Sequence, residues 1–278
     1  MPRKRITQIF PWLLPLRIWQ RRFCFYTRMR LDGNRYAVGK SETTLPYQLF
    51  ETSCPLYNRE TGFDMVYQGN KVFNLKLAAA TLDKVIIGPN ETFSFWKLVR
   101  YADRDIPYKD GLTVVDGKLT TTSGGGLCQM SNLLFWMFIH TPLTVVERHG
   151  HGIKDFPEPP SDAPMGVDAT VSEGWLDLKV KNETEMSFQI SITFDEDHII
   201  GRLLTDQDNG QLYEVINGET LYYCKNNKVY EEVDVKQKTI LTATGAYASE
   251  KLLYRNKCEI GYPLPEGTDI VEKGAKAK

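Results

Sequence analysis

The chain has 278 residues, a formal net charge of −1 and 42% apolar residues. It is long enough for one large domain or two modest ones, and its composition is that of a soluble globular protein with ample apolar content for a core. Five cysteines lie far apart, are odd in number and never form a C-x-x-C pair. This pattern argues against a disulfide framework and favours reduced thiols in the cytoplasm.

Positive charge is concentrated at the N-terminus, where residues 1–40 contain ten Lys or Arg and a single acid, Asp32. Such a basic arm suggests an anionic membrane surface as neighbour, although a solvated arm is an equally ordinary explanation. Nucleic acid is not expected, because no motif that reads DNA or RNA accompanies the charge. The arm's aromatic residues can lie in a lipid headgroup layer or pack on the protein's own body.

The same segment begins like a targeting signal, with basic residues ahead of apolar ones. Its apolar part, Ile9 to Ile18, is interrupted by Pro11, Pro15 and Arg17 and has no small-residue cleavage site. It is also shorter than the roughly 20 residues that a membrane-spanning helix needs. We therefore expect a cytoplasmic or peripherally membrane-associated protein.

Further along, the segment from Asn70 to Asn90 has near-helical apolar spacing and ends in Gly-Pro, which predicts one amphipathic helix. The alternation in ETFSFWKLVRY predicts a strand, and residues 102–122, with Asp-Gly pairs at 110–111 and 116–117, predict a hairpin. The run CQMSNLLFWMFI, from Cys128 to Ile139, predicts a helix that is apolar on nearly all sides and therefore buried.

The C-terminal half reads as β-structure. Residues 143–151 alternate as a strand, and its period of two places Glu147, His149 and His151 on one face. After a Pro-rich loop at 156–164, the runs 175–181, 187–194 and 199–204 predict an antiparallel meander, and β-like runs continue over 212–262. The last dozen residues are polar and Lys-rich.

These elements predict an α+β fold in which an antiparallel or mixed sheet surrounds a buried central helix that starts at Cys128. The expected organisation is a basic arm at 1–40, a domain at 41–264 and a flexible tail at 265–278. Within the domain, the core motifs lie at 70–204 and a β-rich part at 205–264.

The junction between the glycines and this helix has the features of a nucleophile site. Gly124, Gly125 and Gly126 let a ligand approach the backbone, and the first helical turn offers unpaired N–H groups and the positive end of the helix dipole. These groups stabilise a Cys128 thiolate, and together with the Gln129 amide they can hold an oxyanion. An inert buried thiol is the alternative, and the lack of G-K-[ST] excludes a phosphate P-loop.

His149 and His151 are the candidate general bases, and Glu147 or Asp168 is the candidate partner that orients an imidazole. Arg148 can bind a substrate carboxylate or form an ordinary ion pair. The H-x-H pattern together with the cysteine and an acid is acceptable to zinc, but the spacing is not a familiar one. No metal or other cofactor is therefore expected.

Several segments occur together in an order that resembles the VanW family, named from vancomycin-resistance gene clusters. They are NKVFNLKLAA, ETFSFWKLV, SGGGLCQMSNLLFW, VVERHGH, GVDATV and LDLKVKNET. The resemblance runs from about Asn70 to about Leu204. Some members of that family act as cysteine L,D-transpeptidases that cross-link peptidoglycan stem peptides. The resemblance implies that Cys128 is the nucleophile and that His151, rather than His149, is the base.

The leading hypothesis is therefore a cysteine acyl-transferase of the L,D-transpeptidase type that acts on cell-wall stem peptides. Asp168 or Glu147 would orient His151, and N–H groups around Gly126 and Cys128 would hold the oxyanion. That activity implies an extracytoplasmic location. Two alternatives stay open: a non-catalytic accessory protein that binds a cell-wall precursor or a membrane partner, and a zinc-dependent hydrolase that uses the cysteine and both histidines.

Overall fold

A computed structural model describes residues 9–58, 62–115, 118–154 and 163–272, without the side chains of residues 114, 115 and 118. In these ranges the chain is a mixed α+β protein with mostly β-structure. Its helices are α1 Leu14–Leu31, α2 Met65–Leu82, α3 Phe95–Val99 and α4 Leu127–Phe138. Its strands are β1 Arg35–Tyr36, β2 Tyr47–Pro55, β3 Ile86–Ile87, β4 Glu91–Ser94, β5 Asp110–Val115, β6 Lys118–Ser123, β7 Thr144–Glu147, β8 Ile153–Lys154, β9 Lys179–Lys181, β10 Phe188–Phe194, β11 His198–Thr205, β12 Gln211–Lys225, β13 Lys228–Leu241, β14 Tyr247–Ile260 and β15 Ile270–Glu272.

Helix α4 begins at Leu127, one residue before the expected Cys128, because Gly126 adopts φ +104° and stands at the N-cap. Most of the helix is buried, and it packs against α2, β2 and β11. It is not buried on every side, since one face carries its half-buried residues. These are Cys128, Gln129, Asn132 and Trp136. The Cys128 thiol therefore lies on the accessible face of α4, while the other faces of the helix are packed in the core.

One of the sheets against which α4 packs has the strand order β2-β11-β10-β3. Strands β10 and β11 pair antiparallel, which confirms that part of the predicted meander. Gly201 of β11 faces the helix, and a Cβ at this position would lie 2.4 Å from Met137 Sδ and 3.2 Å from Leu133 Cδ2. Glycine thus permits the close approach of sheet and helix.

A second sheet has the order β1-β4-β9-β7. Strand β7 ends at Glu147 and has a register irregularity between Val145 and Glu147. The predicted strand over 143–151 is therefore wrong in its second half, and His149 and His151 lie outside the sheet. Strand β9 covers only the last three residues of the predicted run 175–181.

The third sheet, β15-β12-β13-β14-β8, contains the long strands predicted over 212–262. Gln237 of β13 donates from Nε2 to the carbonyls of Ile139 and Thr141, at 2.6 and 2.9 Å. These bonds tie the sheet to the C-terminal end of α4. Strand β15 pairs in parallel with β12 inside the segment expected to be a tail.

Three local predictions need revision. Helix α2 starts at Met65, where Asp64 caps it, and ends at Leu82, so it does not reach the Gly-Pro pair. The predicted strand ETFSFWKLV changes to helix α3 after Ser94, whose hydroxyl accepts the Lys97 N–H at 3.1 Å. The β5–β6 hairpin is confirmed, but the Asp-Gly pair at 110–111 begins a strand. The pair at 116–117 and most of the Pro-rich loop lie outside the described residues.

The basic arm was predicted over residues 1–40, and the structure describes it from residue 9. Most of this described part forms helix α1, Leu14–Leu31. No helix among the described residues is long and apolar enough to cross a membrane.

Gly201→Ala is expected to destabilise the protein by about 1–3 kcal/mol, because the added methyl overlaps Met137 in a close-packed core. Urea unfolding followed by circular dichroism measures this loss. Gly39→Ala is the matched control, since a Cβ at Gly39 meets nothing within 4 Å. Equal stability of the two variants would contradict the proposed close contact.

Candidate functional site

The three glycines form a tight turn between β6 and α4. Gly124 and Gly126 have φ values of +77° and +104°. A Cβ on Gly125 would lie 2.1 Å from the Gly111 carbonyl oxygen, so this glycine packs against the chain's own backbone. Buried Asn74 of α2 donates from Nδ2 to the Gly125 carbonyl at 3.0 Å. These contacts fix the turn that delivers the cysteine to the helix start.

Cys128 is the second residue of α4 and lies in the wall of a cavity of about 380 Å³. Its Sγ is 3.4 Å from Thr170 Oγ1 and 3.8 Å from the Val171 carbonyl oxygen. Neither contact is with an imidazole, so no Cys–His hydrogen bond forms among the described residues. Gly124 and Gly126 also line the cavity, which places the helix start within reach of a bound molecule.

The cavity carries charge of both signs. Its charged lining residues are Arg22, Arg100, Asp103 and Glu173. Arg22 and Glu173 form an ion pair at 2.6 Å. The Arg100 guanidinium lies 4.1 Å from the ring centres of Tyr26 and Tyr101 and makes no ion pair within the described part of the chain. The hydroxyl of Tyr108, another lining residue, is buried and has no hydrogen-bond partner there either.

Helix α4 holds the segment beside the thiol through two polar side chains. Ser131 Oγ donates to the Ala169 carbonyl at 2.5 Å, and Asn132 Oδ1 accepts the Ala169 N–H at 2.7 Å. Both backbone groups of Ala169 are therefore bound to the helix that carries the cysteine. This clamp positions Thr170 against Sγ and Asp168 on the opposite flank.

Asp168 is the centre of a charged cluster. Its Oδ2 accepts both the backbone N–H and the ring Nδ1 of His151, each at 2.7 Å, and its Oδ1 is ion-paired with Arg148. Burial by itself would raise the pKa of Asp168, but the hydrogen bond from His151 and the charge of Arg148 outweigh it and lower that pKa. Asp168 thus stays ionised and orients the His151 ring, whose Nε2 has no hydrogen-bond partner among the described residues.

Arg148 is only 9% exposed and is fully engaged within the protein. Its guanidinium donates to the carbonyls of Asp168 and Gly166, at 2.5 and 2.9 Å, and to Asn256 Oδ1 at 2.8 Å. It also lies 4.4 Å from the ring centre of Tyr254. Of the two roles left open by the sequence, these contacts favour the ion pair over binding of a substrate carboxylate.

Glu147 and His149 form a separate group. Glu147 accepts from His149 Nε2 at 3.1 Å, from Lys179 Nζ at 2.8 Å and from the Asp177 N–H at 3.1 Å. Burial opposes ionisation of Glu147, but Lys179 and His149 lower its pKa overall. Burial also raises the pKa of Asp177 to about 6. His149 and His151 therefore contact different carboxylates: Glu147 binds His149, and Asp168 binds His151.

The VanW-like protein family model matches residues 70–204. The chain is also 59% identical to the vancomycin B-type resistance protein VanW of Enterococcus faecalis over 272 residues, which are 98% of this chain and 99% of that protein. The chain belongs to the VanW family. The uncharacterized protein YoaR of Bacillus subtilis is 37% identical over 110 residues, or 40% of this chain and 35% of YoaR. No solved structure matches the present chain.

The segment matched by the VanW model contains the glycine turn, the thiol and both histidine–carboxylate pairs. The Arg148 cluster is completed from outside it, because Asn256 and Tyr254 lie on β14. Arg22 of the cavity wall also lies outside it, on α1.

One proposed oxyanion donor is engaged elsewhere. The Gln129 amide donates from Nε2 to the Pro55 carbonyl at 2.8 Å and to Cys54 Sγ at 3.2 Å. We therefore do not assign Gln129 to the oxyanion.

Four residues that position the site were not predicted from the sequence: Asn74, Ser131, Asn132 and Asn256. Three of them gave a usable signal, since polar side chains on buried, apolar helices usually have a specific hydrogen-bond partner. Asn256 gave none, because its partner is 108 residues away.

The VanW-family site contains no group of three His, Cys, Asp or Glu residues poised around one point, and none occurs elsewhere among the described residues. The two histidines contact different carboxylates, and Cys128 contacts neither ring. This arrangement does not favour the zinc-hydrolase alternative.

Asp168→Asn is expected to cost about 3 kcal/mol at neutral pH, because it leaves buried Arg148 without its ion pair. Because folding lowers the pKa of Asp168, its contribution is complete above its ordinary value of 3.8 and disappears as pH falls below that value. The wild type should therefore lose more stability than the variant between pH 5 and pH 3, measured by urea unfolding at each pH. Exposed Asp269→Asn is the control, and parallel pH profiles for all three proteins would contradict the cluster's role.

Proposed function

We propose that this protein is a cysteine acyl-transferase of the L,D-transpeptidase type that acts on peptidoglycan stem peptides. The observation that carries the proposal is the position of Cys128, at the start of a buried helix and in the wall of a cavity. An inert core thiol would face packed side chains on every side, whereas this sulfur borders a space large enough for part of a peptide.

The helix start supplies electrostatic support for the reaction. The backbone N–H groups of Gly126, Leu127 and Cys128 have no hydrogen-bond acceptor in the described part of the chain. They and the positive end of the α4 dipole can hold the oxyanion of a tetrahedral intermediate. In the proposed step, Sγ bonds to the donor carbonyl carbon while the bond from that carbon to the leaving amine breaks. An acceptor amine then releases the acyl group from the thioester.

His151 is the proposed proton carrier. Asp168 accepts from its Nδ1, which leaves Nε2 as the proton acceptor in the neutral ring. Nε2 takes the thiol proton and passes it to the leaving amine. Because Sγ contacts Thr170 and not the imidazole, this transfer requires the ring to move toward Sγ or a bridging water between them. Apo sites are commonly looser than their substrate complexes, so the geometry is compatible with this role.

The cavity lining suits a peptide that carries both an amine and a carboxylate. Arg100 has no ion-pair partner among the described residues, and Asp103 and Glu173 lie in the same wall. The Tyr108 hydroxyl is a further donor or acceptor without a partner in that part of the chain. Since buried polar groups normally have a hydrogen-bond partner, a bound peptide would supply the partner of the Tyr108 hydroxyl.

The name of the Enterococcus faecalis relative, a vancomycin B-type resistance protein, supports a role in the same biological setting. We propose that this chain, like its Enterococcus faecalis relative, belongs to a glycopeptide-resistance system. A peptidoglycan substrate also requires that the protein act outside the cytoplasmic membrane.

The accessory-protein alternative is favoured by one observation, the lack of a Cys–His hydrogen bond. In that case the cavity would bind a cell-wall precursor without turning it over.

Incubation with tetrapeptide and pentapeptide stems, followed by intact-protein mass spectrometry, should detect a thioester adduct that lacks the leaving amino acid. Cys128→Ala should abolish the adduct, while Cys54→Ala, which removes another partly buried thiol, should retain it. If neither the wild type nor Cys54→Ala forms an adduct but both bind the stem peptide, the protein is an accessory binder.

The two histidines should differ in effect. His151→Asn should slow adduct formation by about 100-fold or more, since general-base contributions are typically of that size. His149→Asn should change the rate only a few-fold, because its ring is bound to Glu147. Reactions quenched at set times and analysed by intact-protein mass spectrometry give both rates. Equal decreases in the rate of adduct formation in the two variants would argue against the assignment of His151 as base.

A further inference from the structure

Helix α1 has two faces with different environments. On one face, Arg22 pairs with Glu173, Tyr26 donates to the same carboxylate at 2.8 Å, and Met29 is buried. Arg21 lies 5.0 Å from the ring centre of Trp175. This face therefore packs on the protein's own body.

An adjoining side of α1, which extends into its N-terminal half, is apolar and open to solvent. Leu16, Trp19 and Phe23 follow one another at spacings of three and four residues, and Trp12 lies four residues before Leu16 in the turn that leads into the helix. At about 100° per residue, these spacings place all four on one side of the helix. Their exposed fractions are 75% for Trp12, 60% for Leu16, 62% for Trp19 and 58% for Phe23. We call these four residues the α1 stripe.

The surroundings of the α1 stripe are strongly cationic. Residues 1–31 contain eight Lys or Arg and no Asp or Glu. Arg17, Arg28 and Arg30 of α1 are exposed and have no ion pair with any described residue. Tryptophan and phenylalanine on one side of a helix rich in arginine are typical of a segment that lies in the headgroup layer of an anionic bilayer.

We propose that the α1 stripe binds the surface of an anionic membrane, with its aromatic side chains among the lipid headgroups and its arginines against lipid phosphates. Charge complementarity favours this occupant over a second copy of the chain, because pairing two stripes would bring two sets of arginines together. The proposal does not depend on the acyl-transferase function.

Membrane binding would also place the thiol cavity close to the bilayer. Arg22 joins the cavity wall from α1. It directly precedes Phe23 of the stripe in the same helix, so the stripe adjoins the part of α1 that borders the cavity. A substrate attached to a lipid could then reach the cavity without leaving the membrane surface.

Co-flotation of the full-length protein with phosphatidylcholine vesicles, with and without phosphatidylglycerol, tests this proposal. We expect binding to the phosphatidylglycerol vesicles that weakens at high salt, together with a blue shift of tryptophan fluorescence. The double variant Trp19→Gln, Phe23→Gln should lower the partition coefficient at least about tenfold, since it removes two large apolar side chains from the interface. Cys128→Ala should bind like the wild type.

Tyr247→Gln, Leu252→Gln is the matched control, because both residues are comparably exposed on β14, away from α1. Circular dichroism and urea unfolding must first show that both double variants are folded. Three outcomes would overturn the proposal: no binding to either vesicle type, equal binding by wild type and stripe variant, or equal binding to neutral and anionic vesicles. A dimer in light scattering that the stripe variant dissociates would assign the stripe to a second copy instead.

Discussion

The two hydrogen bonds that α4 makes to Ala169 determine the positions of the groups on either side of it. Ser131 binds the carbonyl and Asn132 binds the N–H. A shift of the segment along the helix would leave a buried backbone donor or acceptor unpaired, which costs about 1–3 kcal/mol for each group. The register between segment and helix is therefore fixed. This fixed register also sets the contact of Thr170 with Cys128 Sγ and the position of Asp168 beside His151.

Asp168 and Arg148 bury opposite charges, and such a pair is stable only when its remaining hydrogen-bonding capacity is satisfied. Here the partners come from three distant parts of the chain: the loop after β7, the turn at Gly166, and Asn256 on β14. Gly150 permits this packing, since a Cβ there would lie 2.8 Å from Asn256 Oδ1 and 2.9 Å from an Arg148 guanidinium nitrogen. The C-terminal sheet is thus part of the site's support, and the charged carboxylate it helps to hold is the one that orients His151.

Local pattern was sufficient to predict a largely buried helix directly after the glycines, the β5–β6 hairpin and the β10–β11 pair, because each depends on residues close in sequence. It did not predict that the helix starts at Leu127 or that Gly125 packs against the Gly111 carbonyl. It failed where long-range contacts decide the conformation. Alternation continued to His151, but the chain leaves β7 after Glu147 because Asp168 binds the His151 backbone as well as its ring. Spacing likewise left Glu147 and Asp168 as equal partners for His151. Only the fold separates them, since Lys179 and Asp177 surround Glu147.

Most of the cavity wall comes from the same part of the chain as the thiol, and Arg22 of α1 is added to it from outside that part. The glycine turn, Cys128 and the Asp168 cluster lie within residues 70–204, the segment that the family model covers, whereas Arg22 of the cavity wall belongs to α1. A protein that shares only that segment would share the thiol, the Asp168 cluster and most of the wall, but it would lack Arg22. Because the Arg22–Glu173 ion pair joins α1 to the cavity lining, the shape and charge of the cavity depend on how α1 is seated. Under the membrane-binding proposal, the same helix that adds Arg22 to the cavity wall would also hold that wall near the bilayer surface.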